Sequence, residues 1–218
     1  MPAIGENAMP RIEPFEAFSE EYDRWFESHT EAYELELRAV KALIPSGVGG
    51  LEVGVGSGKF AAPLGVGTGV EPSARMAARA KVLGIQVLKG VAESLPVADQ
   101  CVDFVLLVTT ICFVDDVDAT LWEALRVLKP DGFIVVGFVD RESELGRKYM
   151  RLKDRSRFYK PATFFSTTEV LDHLNRAGFW HFQIKQTLIP GNSGQPIEDG
   201  FGKGSFVVIK GVKKGPDA

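Results

Sequence analysis

The sequence predicts an α/β fold, a parallel sheet with helices on both faces, and three observations point to it. Short apolar runs alternate with helix-period stretches from Leu51 to Asp140, the rhythm of strand–helix–strand units. The run "VDFVLLVTT", residues 102–110, is apolar almost without interruption, which suits a strand covered on both faces. "LEVGVGSGKF", residues 51–60, places three glycines at alternate positions directly after an apolar run. Glycine costs conformational entropy, so such a cluster marks a tight turn or a ligand pressed against main chain.

Taken in order, residues 15–44 read as helical. Phe15, Phe18, Tyr22, Trp25 and Phe26, then Leu35, Leu37, Val40, Leu43 and Ile44, recur mostly at spacings of three and four, one face of a helix. A break is expected around Ser28–Thr30, within a helical amino-terminal segment of about 12–45. Leu51–Val55 is a short strand, Lys59–Leu64 a brief helix or turn, and "VGTGVEPS" a second strand ending at Glu71. Pro72–Leu83 is a helix with Pro72 in a permitted first-turn position. "IQVLKG" is a third strand and 102–110 the fourth. Asp115–Leu128 is an amphipathic helix closed by Lys129-Pro130-Asp131-Gly132, and "FIVVGFVD" is a fifth strand. A charged and aromatic insertion, about 141–165, follows. Ser166–Ala177 is a helix ending at Gly178, and "FWHFQIKQTLI" and "GSFVVIKGVKK" are two late strands joined by the turn-rich "PGNSGQPIEDGFGKG".

With 218 residues, 45% hydrophobic and 25% charged, the chain suffices for a single domain over 1–218 with a buried core. A formal charge of −4 argues against a dedicated nucleic-acid binder, although Lys148, Arg151, Lys153, Arg155, Arg157 and Lys160 cluster locally. Cys101 and Cys112 sit in apolar contexts with no CxxC pair or histidine-rich partner, so neither a disulfide framework nor a metal site is expected. No basic stretch leads an apolar segment at the amino end, and no window approaches the ~20 apolar residues of a membrane helix. A cytoplasmic protein without membrane insertion is the expectation.

In open parallel sheets ligands sit beyond the carboxyl ends of the strands, so Gly54, Gly56 and Gly58 are expected to face one. A dinucleotide loop wants Gly-x-Gly-x-x-Gly; here the third glycine comes one residue early and Lys59 takes its place. A P-loop fails as well, because Gly58-Lys59 is followed by Phe60. Phosphate binding is disfavoured.

Glu52-x-Gly54-x-Gly56-x-Gly58 instead resembles motif I of the class I S-adenosylmethionine (AdoMet) dependent methyltransferases, and Glu71 matches the acidic residue that family places at the end of the second strand. The resemblance runs from about Gly50 to Lys213 and is closest to members acting on quinones and other metabolites. It implies a Rossmann-like seven-stranded mixed sheet of order 3-2-1-4-5-7-6, its last strand antiparallel. It also implies AdoMet as cofactor, with Glu52 and the glycines passing under its amino-acid end and Glu71, with Pro72 beside it, on the ribose hydroxyls, a carboxylate accepting two bonds from a diol. "GVAESLPVADQCVDFV" resembles the third-strand loop, implying Ala92 and Glu93 near the adenine; relatives often carry Asp where Val91 stands, so backbone groups or Glu93 must serve. "ALRVLKPDGFIVVG" matches the late structural motif. "YDRWFESHTEAYELELRAV" resembles a family cap, with Tyr22, Trp25 and Tyr33 as candidates to close the pocket; the plainer alternative, core packing at helical spacing, is favoured for Phe26 and stands level for Tyr22 and Trp25.

The reaction implied is in-line transfer of a methyl group to a nitrogen, oxygen or carbon nucleophile of a small-molecule acceptor, which needs a base only when the acceptor arrives protonated. Thr109 is a candidate for the cofactor site, and Thr109 and Thr110, at the end of the fourth strand, are candidates for the acceptor pocket. Their alternative is to satisfy nearby backbone groups. His29 would act as a base if the cap folds over the pocket; a solvated helix position is the favoured alternative. His173 and His181 read as structural, and no pKa-lowering neighbour makes Cys112 a nucleophile. The basic segment 147–160, interleaved with Tyr149, Met150, Phe158 and Tyr159, is read either as a substrate lid for an anionic acceptor or RNA, or as a charged helix with its apolar face against the domain. Two competing functions are a non-catalytic AdoMet-binding regulatory protein and a nicotinamide-dependent oxidoreductase, the latter opposed by the glycine spacing. RNA or protein methylation is weakened by the net acidity and by "TTICF" where an Asn/Asp-Pro-Pro-Tyr motif would stand. The sequence specifies neither the acceptor atom nor an oligomeric state.

Overall fold

A computed structural model describes residues 12–192 and 196–215; part of the turn-rich loop, residues 193–195, and the first eleven residues lie outside them. The amino-terminal helical stretch divides into α1 (Glu13–Ala17), α2 (Ser19–Ser28) and α3 (Thr30–Lys41). The expected break falls at His29, and a further one at Phe18.

Eight strands form one sheet: β1 (Gly50–Val53), β2 (Thr68–Val70), β3 (Gln86–Leu88), β4 (Val102–Val108), β5 (Leu128–Val139), β6 (Phe179–Thr187), β7 (Glu198–Asp199) and β8 (Phe206–Lys213), in the order β3-β2-β1-β4-β5-β8-β6-β7. The first five are parallel, and β8 enters antiparallel between β5 and β6. One correction to the seven-strand expectation is β7. It pairs with Lys185 and Gln186 because the buried Gln186 amide organises the loop that follows β7, accepting from Lys203 N and Gly204 N, both at 2.8 Å, while Lys185 Nζ donates to Asp199 Oδ1 at 2.6 Å.

Four helices connect the parallel strands and cover them: α4 (Ala61–Leu64), α5 (Ala74–Val82), α6 (Val117–Val127) and, after an insertion, α8 (Thr167–Ala177). The insertion contributes α7 (Glu144–Leu152) and a 3₁₀ turn at Lys153–Arg155. The α5 helix starts later than its proline suggests. Ser73, not Pro72, caps it, accepting from Met76 N at 3.2 Å. Asp116 caps α6 through Ala119 N, and Ser166 with Glu169 forms a reciprocal capping box on α8.

The apolar run of β4 is buried on both faces. Val105 and Leu107 enter a core with α6 and α8; Phe104, Leu106 and Val108 enter another with α3, α4 and Phe26. That alternation is the period of two of a strand. It fixes the carboxyl ends of β1, β2, β4 and β5 along one rim, where the loops gather.

Candidate active site

A cavity of about 470 Å³ opens at that rim, between the loops after β1, β2, β3 and β4, the helices α1–α3 and the 144–159 region. It falls within the usual range for small-ligand sites, ~300–1,000 Å³. Tyr22, Trp25, Gly54, Gly56, Glu71, Pro72, Ala92, Glu93, Thr109 and Thr110 all line it. Glu52, Gly58 and His29 do not.

The glycine loop answers to three constraints. Gly54 N and Val55 N both donate to Val70 O, at 2.8 and 3.1 Å, folding the loop back onto β2. At Gly54, φ is +69° and a Cβ would lie 2.5 Å from Thr110 Cγ2, so no side chain fits. Gly58, at φ +85°, is equally constrained, but by packing: its Cβ would meet Ile85 Cδ1 at 2.6 Å. It turns into the domain rather than toward the cavity, which corrects its expected placement.

Glu71 lies on the wall and closes the loop. Its two oxygens accept from Gly56 N at 2.8 Å and Ser73 N at 2.9 Å. Burial raises its carboxyl above the usual range despite these bonds. Glu52 is instead sealed beneath the loop, 2% exposed. It receives one bond from Ala61 N, and Oε2 has no partner among the described residues. Desolvation, with the nearby Glu71 charge adding to it, drives its carboxyl well above the normal range.

Glu93 spends Oε1 on Asp115 N at 2.7 Å and on Asp116 N at 3.3 Å, tying the loop after β3 to the loop after β4. Thr109, at φ +53°, bonds its own neighbour Val108 O at 2.8 Å. Thr110 reaches Val108 O at 3.2 Å. Both hydroxyls therefore face backbone first. His29 is exposed, stacked on Trp25 at 4.7 Å, with Nδ1 3.0 Å from Trp25 O; the structure does not carry it to the cavity.

Three further side chains matter and had not been singled out. Asp23, 8% exposed, accepts from Ser57 Oγ and from Arg79 Nε, each at 2.5 Å, clasping α2 to the glycine loop and to α5. Glu16 accepts from Ser73 Oγ at 2.6 Å, tying α1 to the cap of α5. Glu36, on α3, lines the cavity at 5% exposure and makes no hydrogen bond or ion pair among the described residues. Burial alone pushes its carboxyl up to about 8. A signal for it existed: Tyr33, Glu36, Val40 and Leu43 follow helical spacing, so a carboxylate stands inside an apolar stripe.

The basic segment settles with its charges outward. Arg147, Lys148, Arg151, Arg155, Arg157 and Lys160 are exposed, and none lines the cavity, whereas Tyr149, Phe158 and Tyr159 do. Arg157 Nη1 pairs with Glu21 at 2.9 Å. Of the two readings of this segment, the placement agrees with the charged helix: its cations face solvent while Tyr149, Phe158 and Tyr159 face the cavity.

Residues 51–136 match the methyltransferase-domain family. A solved Thermotoga maritima protein, described as a SAM-dependent methyltransferase and possible histamine N-methyltransferase, is 51% identical, with a TM-score of 0.90 over 94% of this chain and 100% of its own. The chain belongs to the class I AdoMet-dependent methyltransferases. An uncharacterised protein of Methanocaldococcus jannaschii is 40% identical over 91% of this methyltransferase and 98% of the relative. A Haloferax volcanii methyltransferase, solved with the Trm112 activator, shares the fold at 20% identity and a TM-score of 0.69, covering 92% of this chain and 97% of its own.

The enzyme is accordingly an AdoMet-dependent methyltransferase, and the nicotinamide alternative falls. The residues present fit that cofactor: the bare backbone of Gly54 and Gly56 lies on the cavity wall, and Glu71 presents a carboxyl group beside it. Among the described residues, no helix is long and apolar enough to cross a membrane, and no cluster of His, Cys, Asp or Glu is arranged to hold a metal ion.

Proposed function

We propose that this methyltransferase acts on a small-molecule acceptor by in-line displacement inside the cavity, with α1–α3 as cap and the 141–165 region as acceptor lid. The observation that carries the reading is continuity: one cavity joins Gly54 and Glu71 to an aromatic wall of Tyr22, Trp25, Tyr149, Phe158 and Tyr159. Phe158 packs on Phe15 and Tyr22, with centroids at 5.7 and 6.0 Å, so cap and lid meet over the site. That meeting of cap and lid over the site favours a small acceptor over RNA or protein.

AdoMet supplies a methyl group on a positively charged sulfur. Gly54, Gly56, Glu71, Pro72, Ala92, Glu93 and Thr109 would hold it, and Tyr22 and Trp25 would close over it. The chain's own task is to align a nucleophile and exclude water, a contribution of at most ~7–11 kcal/mol. Five carboxylate side chains, Glu21, Glu36, Glu71, Glu93 and Asp115, stand on the lining against one guanidinium, Arg24, a balance that favours cations. The tyrosine phenols do not contribute charge, since burial first, and then the Glu52 and Glu71 carboxyls, push Tyr22 upward. A cytoplasmic setting fits two cysteines, Cys101 exposed and Cys112 buried, that form no disulfide.

The test is calorimetric titration with AdoMet, S-adenosylhomocysteine and NADH, followed by methyl transfer to mixed small metabolites. Binding of the first two, silence with NADH, and turnover on a small acceptor are expected. AdoMet binding with no transfer to any small molecule would favour the non-catalytic regulatory reading.

A further inference from the structure

We infer that Glu36, with Tyr149 and Tyr159, forms the acceptor subsite, and that the acceptor is an amine which arrives as an ammonium and gives its proton to Glu36. This rests on the methyl-transfer reading above and names its substrate class. Glu36 is a carboxyl without a hydrogen-bond or ion-pair partner among the described residues, 5% exposed, on the cavity wall. A buried ionisable group without hydrogen bonds is costly, and a fold retains one most simply where a ligand completes it. Around it the cavity is aromatic. Tyr149 and Tyr159 stack at 4.7 Å, and both phenols are raised chiefly by burial, with Glu36 adding a smaller part that for Tyr159 comes after Tyr149, Cys112 and Tyr22. All three residues therefore share one electrostatic environment.

Ring faces and a carboxylate together recognise a cation. An anion would meet Glu36 unpaired, and a neutral hydroxyl would leave that carboxyl's ionisation unsupported. The cationic side chains of 147–160, which would have served an anion, point to solvent. In the empty cavity burial holds the Glu36 carboxyl near 8, so below that pH it first gives its own proton to solvent as the ammonium enters and pairs with it; the ionised carboxylate is then the base. Glu36 Oε takes one proton, and the freed nitrogen lone pair becomes the nucleophile. Over a turnover one N–H bond and the methyl–sulfur bond break, one N–C bond forms, the electron pair of the broken C–S bond stays on sulfur, and the proton leaves through Glu36.

The experiment is calorimetry on the full chain saturated with S-adenosylhomocysteine. The probes are 2-phenylethylamine, trimethyl(2-phenylethyl)ammonium and 2-phenylethanol, against wild type, Glu36→Gln and Glu36→Asp. Wild type should prefer both cations to the alcohol by at least about tenfold. Glu36→Gln should lose that preference and Glu36→Asp retain part of it, with S-adenosylhomocysteine affinity within about threefold throughout. A preference that survives in Glu36→Gln, or a wild type that binds the alcohol as tightly or neither cation, overturns the assignment. So does a Glu36→Gln variant that loses AdoMet while its probe selectivity is unchanged, since that places Glu36 on the cofactor. Failure of the wild type to bind S-adenosylhomocysteine refutes the methyl-transfer reading itself. Normal binding of it without cation preference refutes the Glu36 assignment alone.

Discussion

Replacing Glu36 with glutamine should change how stability varies with pH, and the structure sets the size of the change. Burial raises the Glu36 carboxyl from an ordinary 4.5 to about 8 in the folded protein. Between those values the unfolded chain has released the proton and the folded chain still holds it, so stability falls as pH rises. The contribution is intact below the unfolded pKa and fully lost above the folded one. At 1.36 kcal/mol per unit the whole window corresponds to about 5 kcal/mol. About 3 kcal/mol of it falls between roughly pH 5 and pH 7.5. Glutamine has a similar shape and no proton to lose.

The assay is urea unfolding of wild type and Glu36→Gln across that range at fixed ionic strength. Subtracting the variant removes the contributions of Glu52 and Glu71, whose carboxyls are also raised. Tyr149 and Tyr159, the titratable groups that feel Glu36, are raised by burial and keep their protons throughout. Wild type should lose about 3 kcal/mol relative to the variant from the acid to the alkaline end. A difference that stays flat to within about 0.5 kcal/mol would mean that Glu36 ionises as freely as a surface carboxylate, and the buried subsite would be wrong.

Glu71→Ala removes the acceptor for Gly56 N and Ser73 N; a charge-assisted bond is worth ~1.5–3 kcal/mol, so calorimetry should show AdoMet affinity falling at least about tenfold. Gly58→Ala puts a Cβ 2.6 Å from Ile85 Cδ1 at φ +85°, and urea unfolding should register a loss of about 1–3 kcal/mol. Asp23→Asn weakens the hold on Ser57 and Arg79; hydrogen exchange should quicken in α2 while β4 and β5 stay protected. His29→Ala, at an exposed residue outside the cavity, should leave turnover on a small acceptor within about twofold.

The parallel core was legible because its signals are local. The β4 run declared a strand buried on both faces, and Ser166 with Glu169 announced α8 within four residues. Gly54 was legible too, since only glycine meets both its φ and its contact with Thr110. The family resemblance drew Glu52, Gly56 and Gly58 into one site, yet a motif does not say which way each residue points. The strand period does: with Leu51 and Val53 directed into one core, Glu52 points to the opposite face, under α4.

What escaped the sequence is polar and long-range. Asp23 finds Ser57 across 34 residues and Arg79 across 56, and no window of either segment hints at the other. Those contacts nevertheless determine what the amino-terminal helices do. Asp23 and the Tyr33 hydroxyl, which donates to Lys59 O at 2.5 Å, grip the two ends of the turn that follows Gly56. Tyr22 and Glu36, neighbours of these residues on α2 and α3, face the cavity. The helices that present the proposed acceptor wall are therefore fastened to the glycine loop. Ordering that loop and ordering that wall draw on the same conformational freedom, and the freedom given up on filling one end of the cavity need not be given up again at the other.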